Sequence, residues 1–186
     1  MAFGYEGRKT RLVPLDKARH LDHCVAWLND PEVTGTLDTG YRPLTRLAEE
    51  EWFDRAMSGS APEVTFAIET LGGEYLGNCG IFDIDHRHGH GTTGLFIGRR
   101  DLWGQGYGTD AMQVRTRYAF DVLGLRLLLS WVQADNAGCL RALGKTGYVE
   151  IGRVPQMKWV RGAYRDFVLL AVSREAWTAG AAARSG

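Results

Sequence analysis

The chain has 186 residues, a hydrophobic fraction of 45% and equal numbers of basic and acidic side chains, 22 of each. This length fits one domain with a substantial hydrophobic core. The formal net charge of +0 excludes the strongly basic surface that binds nucleic acid or an anionic membrane, so the composition favours a small-molecule or peptide partner.

The cysteines and the apolar runs bear on the cellular compartment. Cys24, Cys79 and Cys139 are odd in number, far apart and without C-x-x-C spacing, so they indicate neither a disulfide framework nor a zinc cage. No uninterrupted apolar run approaches the roughly 18 residues needed to cross a bilayer, and Met1 to Leu12 has no apolar segment of the kind an export signal needs. We therefore expect a cytoplasmic protein with reduced thiols.

The first elements of the chain are a strand, two helices and a loop. Residues Arg11 to Leu15 predict a strand, and Leu21 to Leu28 predict a helix that ends at Asn29-Asp30-Pro31. A loop is expected from Glu32 to Pro43. Thr45 is suited to cap the following helix, which ends at Ser58-Gly59. The apolar face of that helix comprises Leu47, Trp52, Phe53, Ala56 and Met57. The acids Glu49, Glu50 and Glu51 are interpreted as its solvated face.

Three segments in the middle of the chain predict an antiparallel meander. Val64 to Ile68, Tyr75 to Ile84 and Thr92 to Ile97 alternate or run apolar between glycine-rich turns, and Gly72-Gly73 is suited to a hairpin turn. The stretch His86-x-His88-x-His90 between the last two strands would place three rings on one face of an extended strand. Because Gly89 and Gly91 favour a turn here, an exposed polar hairpin is preferred over a metal site.

The stretch from Trp103 to Ala111 is the most informative part of the sequence. Three alternating glycines, Gly104, Gly106 and Gly108, follow an apolar strand and open a long helical pattern. Glycines allow positive φ, and the first free N–H groups of a helix attract an anion together with the helix dipole. The sequence therefore predicts a site for a phosphorylated cofactor. Asp110 is expected to point outward as a first-turn acid.

The second half of the chain alternates helices and strands. A helix from Thr109 has Ala111, Val114, Tyr118 and Val122 on one face, and Gly124 is placed for a left-handed C-cap. The nearly continuous apolar run from Leu125 to Val132 predicts a strand buried on both faces. The remaining elements are a helix from Asn136 to Thr146 closed by Gly147, a hairpin of Tyr148 to Val160 and Tyr164 to Val172 with its turn near Arg161-Gly162, and a flexible tail over 178–186.

Two segments of the chain partly match known phosphate-binding motifs. Gly104-x-Gly106-x-x-Thr109 matches part of a dinucleotide fingerprint, with Asp135 ending the next strand where a ribose-binding acid would lie. The third glycine is missing, however, and little chain remains for the usual second half of such a domain. Gly144-Lys145-Thr146 lacks the upstream glycine of a P-loop, since position 139 is Cys139.

Ordered blocks along nearly the whole chain, from about Arg8 to Trp177, carry a resemblance to a known family. The blocks are Trp27 to Val33, Gly94 to Gly98, Trp103 to Ala111, Tyr118-Ala119-Phe120, Asn136, Lys145-Thr146-Gly147-Tyr148 and Arg161 to Asp166. In this pattern the chain resembles the GNAT N-acetyltransferases, and within them the RimJ/RimL and spermidine-acetyltransferase-like branch.

The resemblance implies an α+β fold and a binding site for acetyl-CoA. The fold would be one domain over 1–177, with a mixed, mostly antiparallel sheet flanked by helices. The strand ending near Ile97 and the strand Leu125 to Val132 would splay apart and admit the pantetheine arm. The implied cofactor-binding residues are Leu95, Phe96, Ile97, Trp103, Gly104, Gln105, Gly106, Tyr107, Gly108, Thr109 and Asn136, with the N–H groups of Trp103 through Thr109 holding the diphosphate.

The catalytic residues of the family are not all present. Many members carry a glutamate where this chain has Thr93, spermidine-type enzymes carry a tyrosine at the position of Leu143, and RimL-like members carry a serine at the position of Cys139. Cys139 is a candidate to protonate or hydrogen-bond the leaving sulfur, although a small buried thiol is the alternative. Asp83 is the candidate base, with Asp85 and His86 as further candidates at the end of the meander.

The function expected from the resemblance is acetyl transfer from acetyl-CoA to a primary amine, without a metal ion. The acceptor would be a protein N-terminus or a small amine such as an amino sugar or a polyamine, and a homodimer is possible. Two alternatives remain open. The replaced Thr93 and Leu143 positions would also suit a non-catalytic acyl-CoA-binding sensor, and the partial fingerprint would suit a dinucleotide-binding protein.

Overall fold

The fold is an eight-stranded mixed sheet flanked by six helices in a computed structural model that describes residues 5–37, 42–59 and 62–185. The strands are β1 Tyr5–Glu6, β2 Thr10–Pro14, β3 Val64–Thr70, β4 Tyr75–Asp85, β5 His90–Ile97, β6 Leu127–Gln133, β7 Val149–Val160 and β8 Ala163–Ser173. The helices are α1 Lys17–Leu28, α2 Pro31–Thr34, α3 Arg46–Ser58, α4 Tyr107–Asp121, α5 Ala137–Lys145 and α6 Arg174–Ser185. The predicted α+β class is confirmed.

The sheet is antiparallel except at one pair of strands. Its order is β1-β2-β3-β4-β5-β6-β8-β7, and only β5 and β6 run parallel. Buried side chains form two clusters. The larger includes α4 residues such as Ala111 and Phe120, and the smaller joins α1 and α3 through Cys24 and Phe53. In the described ranges, no helix has the length and apolar character to span a bilayer.

Two corrections concern the first two long helices. Helix α1 begins four residues before the predicted Leu21, because the Asp16 side chain caps it by accepting from the N–H groups of Ala18 and Arg19. Helix α3 has the predicted Thr45 cap and ends at Gly59 with φ 65°. Its buried face differs from the prediction: Phe53 is buried, but Leu47 and Met57 are exposed.

The predicted loop from Glu32 to Pro43 contains α2, and its residues 38–41 lie outside the described ranges.

Glu49 departs most clearly from the expectation for α3. The sequence predicts a solvated acid within Glu49 to Glu51, whereas only 4% of the surface of Glu49 is exposed. Glu50 and Glu51 keep contact with solvent, and Glu50 pairs with Arg46. Charge pattern alone could not separate the three acids, because successive residues on a helix point in different directions and the facing elements lie far away in the sequence.

The predicted meander is confirmed, with one irregularity next to its last turn. Strands β3, β4 and β5 pair antiparallel, and the Gly73 φ of 91° fits the predicted hairpin turn. Pairing of β4 with β5 shifts between Phe82 and Asp85, where Asp83 takes a φ of 49°. Asp83 is exposed at this bulge.

The helix after the glycines is longer than predicted at its start. Helix α4 begins at Tyr107 and not at Thr109, and its N-cap is Gly106 with φ 89°. The predicted Ala111, Val114 and Tyr118 are buried, but Val122 is exposed because the helix ends at Asp121. Strand β6 is not buried on both faces as predicted, since Trp131 is 39% exposed.

The splay between the two parallel strands is confirmed. Main-chain pairing of β5 with β6 ends at Thr92 and Leu129, although β5 continues to Ile97. Beyond this point side chains bridge the strands: the Thr93 hydroxyl donates to the Leu129 carbonyl at 3.0 Å, and the Ser130 hydroxyl donates to the Thr93 carbonyl at 3.3 Å. The end of β5 is therefore left without a strand partner on its β6 side.

The last elements follow the prediction except at the carboxyl end. Strands β7 and β8 form the closing hairpin, with Arg161 and Gly162 at φ 48° and 81° in the turn. Helix α6 covers Arg174–Ser185, so the backbone is helical where the sequence predicts a tail over 178–186. The helix is rich in alanine, the best helix former, which explains its conformation. The predicted flexibility of this segment stays a prediction.

Candidate functional site

The glycine-rich turn presents a group of unpaired main-chain donors. Gly104 and Gly106 take φ values of 77° and 89°, which only glycine adopts without strain, and no side chain caps α4. Within the described part of the chain, the N–H groups of Gly106, Tyr107, Gly108 and Thr109 have no main-chain or side-chain acceptor. A fifteen-residue helix therefore points its free donors and the positive end of its dipole into one place.

This group of donors is narrower than the predicted run from Trp103 to Thr109. The Trp103 N–H donates to the Arg100 carbonyl at 3.1 Å and the Gln105 N–H to the Leu102 carbonyl at 3.4 Å. The Gln105 side chain is also engaged, since its Nε2 donates to the Asp101 carbonyl. Trp103 and Gln105 thus stabilise the turn from within, and the free donors are concentrated at the first turn of α4.

The turn opens into a cavity of about 400 Å³, which we call the glycine-loop cleft. Its walls combine the turn with β5, α5 and the α2 region. Of the predicted cofactor residues, Leu95, Phe96, Ile97, Trp103, Gly104, Gly106, Tyr107, Gly108, Thr109 and Asn136 line the cleft, and Gln105 does not. The sequence-based prediction therefore brought together ten residues that do share one cavity.

Basic side chains that the prediction did not include lie beside these donors. Arg141 and Lys145, one turn apart on α5, line the glycine-loop cleft. Lys9 approaches the turn from β1–β2, where its Nζ donates to the Gln105 carbonyl at 2.8 Å. Their positive charge adds to the helix dipole, so the cleft suits a strongly anionic ligand. Only the tertiary fold brings Lys9 close to the turn.

The unpaired end of β5 forms a second wall of main-chain groups. Leu95, Phe96 and Ile97 pair with β4 on one side and face the splay on the other. The Ile97 carbonyl already accepts from the Trp103 indole Nε1 at 2.8 Å, which ties the turn to the strand. Across the cleft, the Asn136 Oδ1 accepts from the Cys139 N–H at 3.0 Å and caps α5. Asn136 therefore has a structural role besides the predicted one.

Asp110 does not point outward as expected. It is 7% exposed, and its carboxylate accepts from the N–H groups of Arg8, Lys9 and Thr10 and from the Thr10 hydroxyl, at 2.7 to 3.0 Å. Burial opposes ionisation, but these four hydrogen bonds outweigh it and lower the pKa of Asp110. The acid fixes the first turn of α4 to the β1–β2 turn and directs its charge away from the free donors.

The two predicted catalytic residues lie in different places. Cys139 lines the glycine-loop cleft, and burial raises the pKa of its thiol despite the opposing charge of Arg115, so it is a protonated donor and not a nucleophile at neutral pH. Asp83 lines neither this cleft nor the second cavity described below. The structure thus brings Cys139, but not Asp83, to the other predicted site residues.

Leu143 and Thr93, two of the positions that depart from the family pattern, are buried in the fold. Leu143 is 1% exposed in the larger core cluster. Thr93 is 4% exposed, and its hydroxyl lies 3.4 Å from the Tyr148 hydroxyl in addition to its bond across the splay. Arg115, 1% exposed, donates to the Gly94 carbonyl at 2.8 Å and braces β5 from α4. No local signal in the sequence marks this arginine, because it lies in the middle of an ordinary helical pattern.

The histidine stretch forms the expected exposed turn, with one additional feature. Ligand atoms of Asp85, His88 and His90 lie within 4.8 Å of one another, and the Asp85 carboxylate is 2.8 Å from His88 Nδ1. This contact with His88 lowers the pKa of Asp85 to about 2. His86 is exposed in the same turn. Such donors suit a transition metal ion, but the cluster is at the surface and contributes to neither cavity.

A second cavity of about 600 Å³ is also lined by residues of β5, and we call it the Glu49 cavity. It is lined by Leu28, Leu37, Leu44, Ala48, Glu49, Trp52, Arg55, Thr65, Asn78, Cys79, Gly80, Phe82, Gly94, Leu95 and Phe96. Leu37, Leu95 and Phe96 also line the glycine-loop cleft, so the two spaces share a wall. The lining is largely apolar, and Glu49 is its only carboxylate among the described residues.

Known proteins with similar sequences and structures fit this geometry. A family model for the acetyltransferase (GNAT) domain matches residues 9–149. The chain is 24% identical over 154 residues to an uncharacterized N-acetyltransferase, p20, of Bacillus licheniformis, covering 80% of this chain and 84% of that protein.

Among solved structures, a GCN5-related N-acetyltransferase from Brucella melitensis is 28% identical, with a TM-score of 0.75 over 96% of this chain and 82% of the other. A spermidine N-acetyltransferase from Vibrio cholerae, solved with CoA and spermine, is 18% identical, with a TM-score of 0.82 over 91% and 98%. The second likeness is one of fold.

Proposed function

The chain belongs to the GNAT acetyltransferase family, and from this premise we propose that it transfers the acetyl group of acetyl-CoA to a primary amine. The observation that carries the proposal is the set of free N–H groups from Gly106 to Thr109, which opens into a cleft running along the unpaired end of β5. A diphosphate and a pantetheine arm need these two features in this order.

In this proposal, each part of the cofactor is assigned to a part of the glycine-loop cleft. The diphosphate would accept from the N–H groups at the start of α4, with the Thr109 hydroxyl as a further donor and Arg141 and Lys145 supplying positive charge. The pantetheine amides would hydrogen-bond the main chain of Leu95, Phe96 and Ile97, which has no strand partner on that side. Asn136 would contact the cofactor from α5. The thioester would then lie near the shared wall with the Glu49 cavity.

The reaction is the attack of a neutral amine on the thioester carbonyl. The ammonium proton is lost before attack, the nitrogen–carbon bond forms and the carbon–sulfur bond breaks. The attacking nitrogen gives up a second proton as it becomes an amide, and the departing thiolate takes one proton. Main-chain N–H groups of β5 would polarise the carbonyl. The protonated thiol of Cys139, in the same cleft, would hydrogen-bond the departing sulfur. Asp83, the base expected from the sequence, lies outside both cavities.

The acceptor remains a proposal at the level of its class. Protein N-termini and small amines such as amino sugars or polyamines are both primary amines, and the fold likeness to a spermidine N-acetyltransferase supports the small-amine group. The resemblance to the RimJ/RimL branch is part of the same proposal, as are a cytoplasmic location and a homodimer. Exposed apolar side chains on β7, including Val149, Ile151 and Trp159, support self-association.

Release of CoA from acetyl-CoA across an amine panel tests the proposal. We expect steady CoA production with at least one acceptor, together with thermal stabilisation by CoA but not by NADH or ATP. Stabilisation by CoA without turnover on any amine would indicate the non-catalytic acyl-CoA sensor. Saturable stabilisation by NADH would indicate the dinucleotide-binding alternative.

A further inference from the structure

Glu49 is a buried acid that faces a cavity without a partner. Only 4% of its surface is exposed, and it lines the Glu49 cavity among apolar side chains. Within the described part of the chain, its carboxylate has no hydrogen bond or ion pair. A carboxylate in such a place is costly unless a cation or donor compensates it. Burial accordingly raises the pKa of Glu49.

A second buried glutamate shows how this protein compensates an acid that serves its own fold. The Glu69 side chain is fully buried, and its carboxylate is bonded by two guanidinium groups. Arg11 donates through Nε and Nη2 at 2.9 and 2.7 Å, and Arg19 Nη2 also donates to it. Glu49, by contrast, has no such cation among the described residues.

Three buried polar side chains close to the cavity, Cys24, Tyr75 and Asn78, are hydrogen-bonded to one another. The Tyr75 hydroxyl donates to Asn78 Oδ1 at 2.7 Å, Asn78 Nδ2 donates to Cys24 Sγ at 3.3 Å, and Cys24 Sγ lies 2.8 Å from the Tyr75 hydroxyl. Burial raises the pKa of Cys24 to about 12 and raises that of Tyr75, so both stay neutral. Neither therefore offers a charge to Glu49.

Arg55 is the only basic side chain lining the cavity in the described ranges, and it is exposed. It lies six residues after Glu49 on α3, which is ~9 Å along the helix axis. The structure contains no ion pair between the two. Arg55 therefore does not compensate the carboxylate of Glu49 at the deep end of the cavity.

The position of Glu49 separates it from the reacting end of an acceptor. Helix α3 packs against β3, whereas the shared wall with the glycine-loop cleft belongs to β5. Because β4 lies between them and neighbouring strands are ~4.8 Å apart, β3 and β5 are ~10 Å apart. A cation held at Glu49 would therefore be at the far end of a molecule whose amine reaches β5.

We propose that the Glu49 cavity binds an amine acceptor carrying a second cationic group, and that the Glu49 carboxylate is the counter-ion of that second group. This inference rests on the proposed function, because the reacting amine is assigned to the β5 wall. The apolar lining fits an aliphatic chain between the two charges. A neutral group at the far end of the acceptor would leave Glu49 uncompensated.

The test compares 1,7-diaminoheptane, which is long enough when extended to span the separation of β3 and β5, with the amino alcohol of the same length, which has a hydroxyl in place of one ammonium. Binding to the CoA-loaded protein is measured by titration calorimetry for the wild type, Glu49→Gln, Glu49→Asp and Glu51→Gln. Glu51→Gln is the matched control, because it makes the same change on an exposed position of the same helix. Glu49→Gln keeps the size of the side chain and removes only the charge.

We expect the wild type to prefer the diamine by about tenfold, and Glu49→Gln to lose that preference while keeping the affinity for the amino alcohol. Glu49→Asp should keep part of the preference, and Glu51→Gln all of it. With acetyl-CoA, the change should appear in KM and not in kcat. Equal weakening of both ligands by Glu49→Gln, or no weakening of either, would overturn the proposal.

The result also separates this inference from the proposed function. If the diamine binds through Glu49 but no amine releases CoA, the site stands and the acetyl transfer fails. If CoA is released and Glu49→Gln treats both acceptors as the wild type does, the transfer stands and the site fails.

Discussion

The glycine-loop cleft and the Glu49 cavity share a wall but are built in different ways. The cleft takes its binding groups mainly from the main chain of one short segment, Leu95 to Thr109, which two glycines with positive φ shape. The Glu49 cavity takes its lining from side chains of α1, α3, β3, β4 and β5. A main-chain site depends on local conformation, whereas a side-chain site depends on which distant elements meet.

The largest expected effect is on the cleft, from Gly106→Asp. The new carboxylate would lie at the N-cap of α4, where it would occupy the free N–H groups and repel a diphosphate. Affinity for CoA, measured by titration calorimetry, should fall at least about a hundredfold. Gly59→Asp is the matched control, since Gly59 has a φ of 65° and lines neither cavity. Unchanged affinity in Gly106→Asp would remove the diphosphate from this turn.

The two buried glutamates, Glu69 and Glu49, test how the side chains of this protein compensate a buried acid. Glu69→Gln should lower the free energy of unfolding by about 2–3 kcal/mol, because it breaks a buried pair whose arginines are partly exposed. Glu49→Gln should not destabilise the free protein. The pKa of Glu49 is higher in the folded than in the unfolded protein. The wild type should therefore lose stability as the pH rises from the unfolded pKa towards the folded pKa, and Glu49→Gln should not show this loss. Denaturant unfolding at acidic and mildly alkaline pH measures the free energy of unfolding of both variants. If Glu49→Gln lost as much stability as Glu69→Gln, Glu49 would have a stabilising partner in the folded protein.

Asp110→Asn tests how the cleft is held in place. The carboxylate accepts four hydrogen bonds, so its loss should cost about 2 kcal/mol of unfolding free energy at neutral pH. Because the folded pKa of Asp110 is lowered, its contribution is present above the unfolded pKa and disappears as pH falls through the folded pKa. The difference between variant and wild type should therefore shrink in acid. A pH-independent difference would assign the effect to packing.

The smallest effects concern the two predicted catalytic residues. Cys139→Ala should lower kcat by about tenfold, roughly 1.4 kcal/mol, because it removes a donor to the departing sulfur, and Cys139→Ser should restore most of it. Asp83→Asn should leave kcat/KM within about twofold, since Asp83 is exposed and lines neither cavity. Steady-state rates of CoA release measure both. A large loss in Asp83→Asn would restore that residue as the base.

Much of the glycine-loop cleft could be predicted from the sequence, but little of the Glu49 cavity could. Alternating apolar residues and Thr45 were local signals for the meander and α3, which the structure confirms. The glycines before α4 were the local signal for the group of free donors, and the anion site there stays a prediction. Asp110 was misread because its four donors come from about a hundred residues earlier in the chain. Glu49 was misread for the same reason: the strands that bury it are not next to it in sequence.

The account depends most directly on where the diphosphate of the cofactor binds. A crystal structure of the protein with CoA should place diphosphate oxygens at hydrogen-bonding distance, about 2.7–3.2 Å, from the N–H groups of Gly106 to Thr109. The pantetheine arm should then lie along Leu95 to Ile97. A diphosphate bound elsewhere, with those N–H groups still free, would contradict the assignment of the cleft and the acetyl transfer that rests on it.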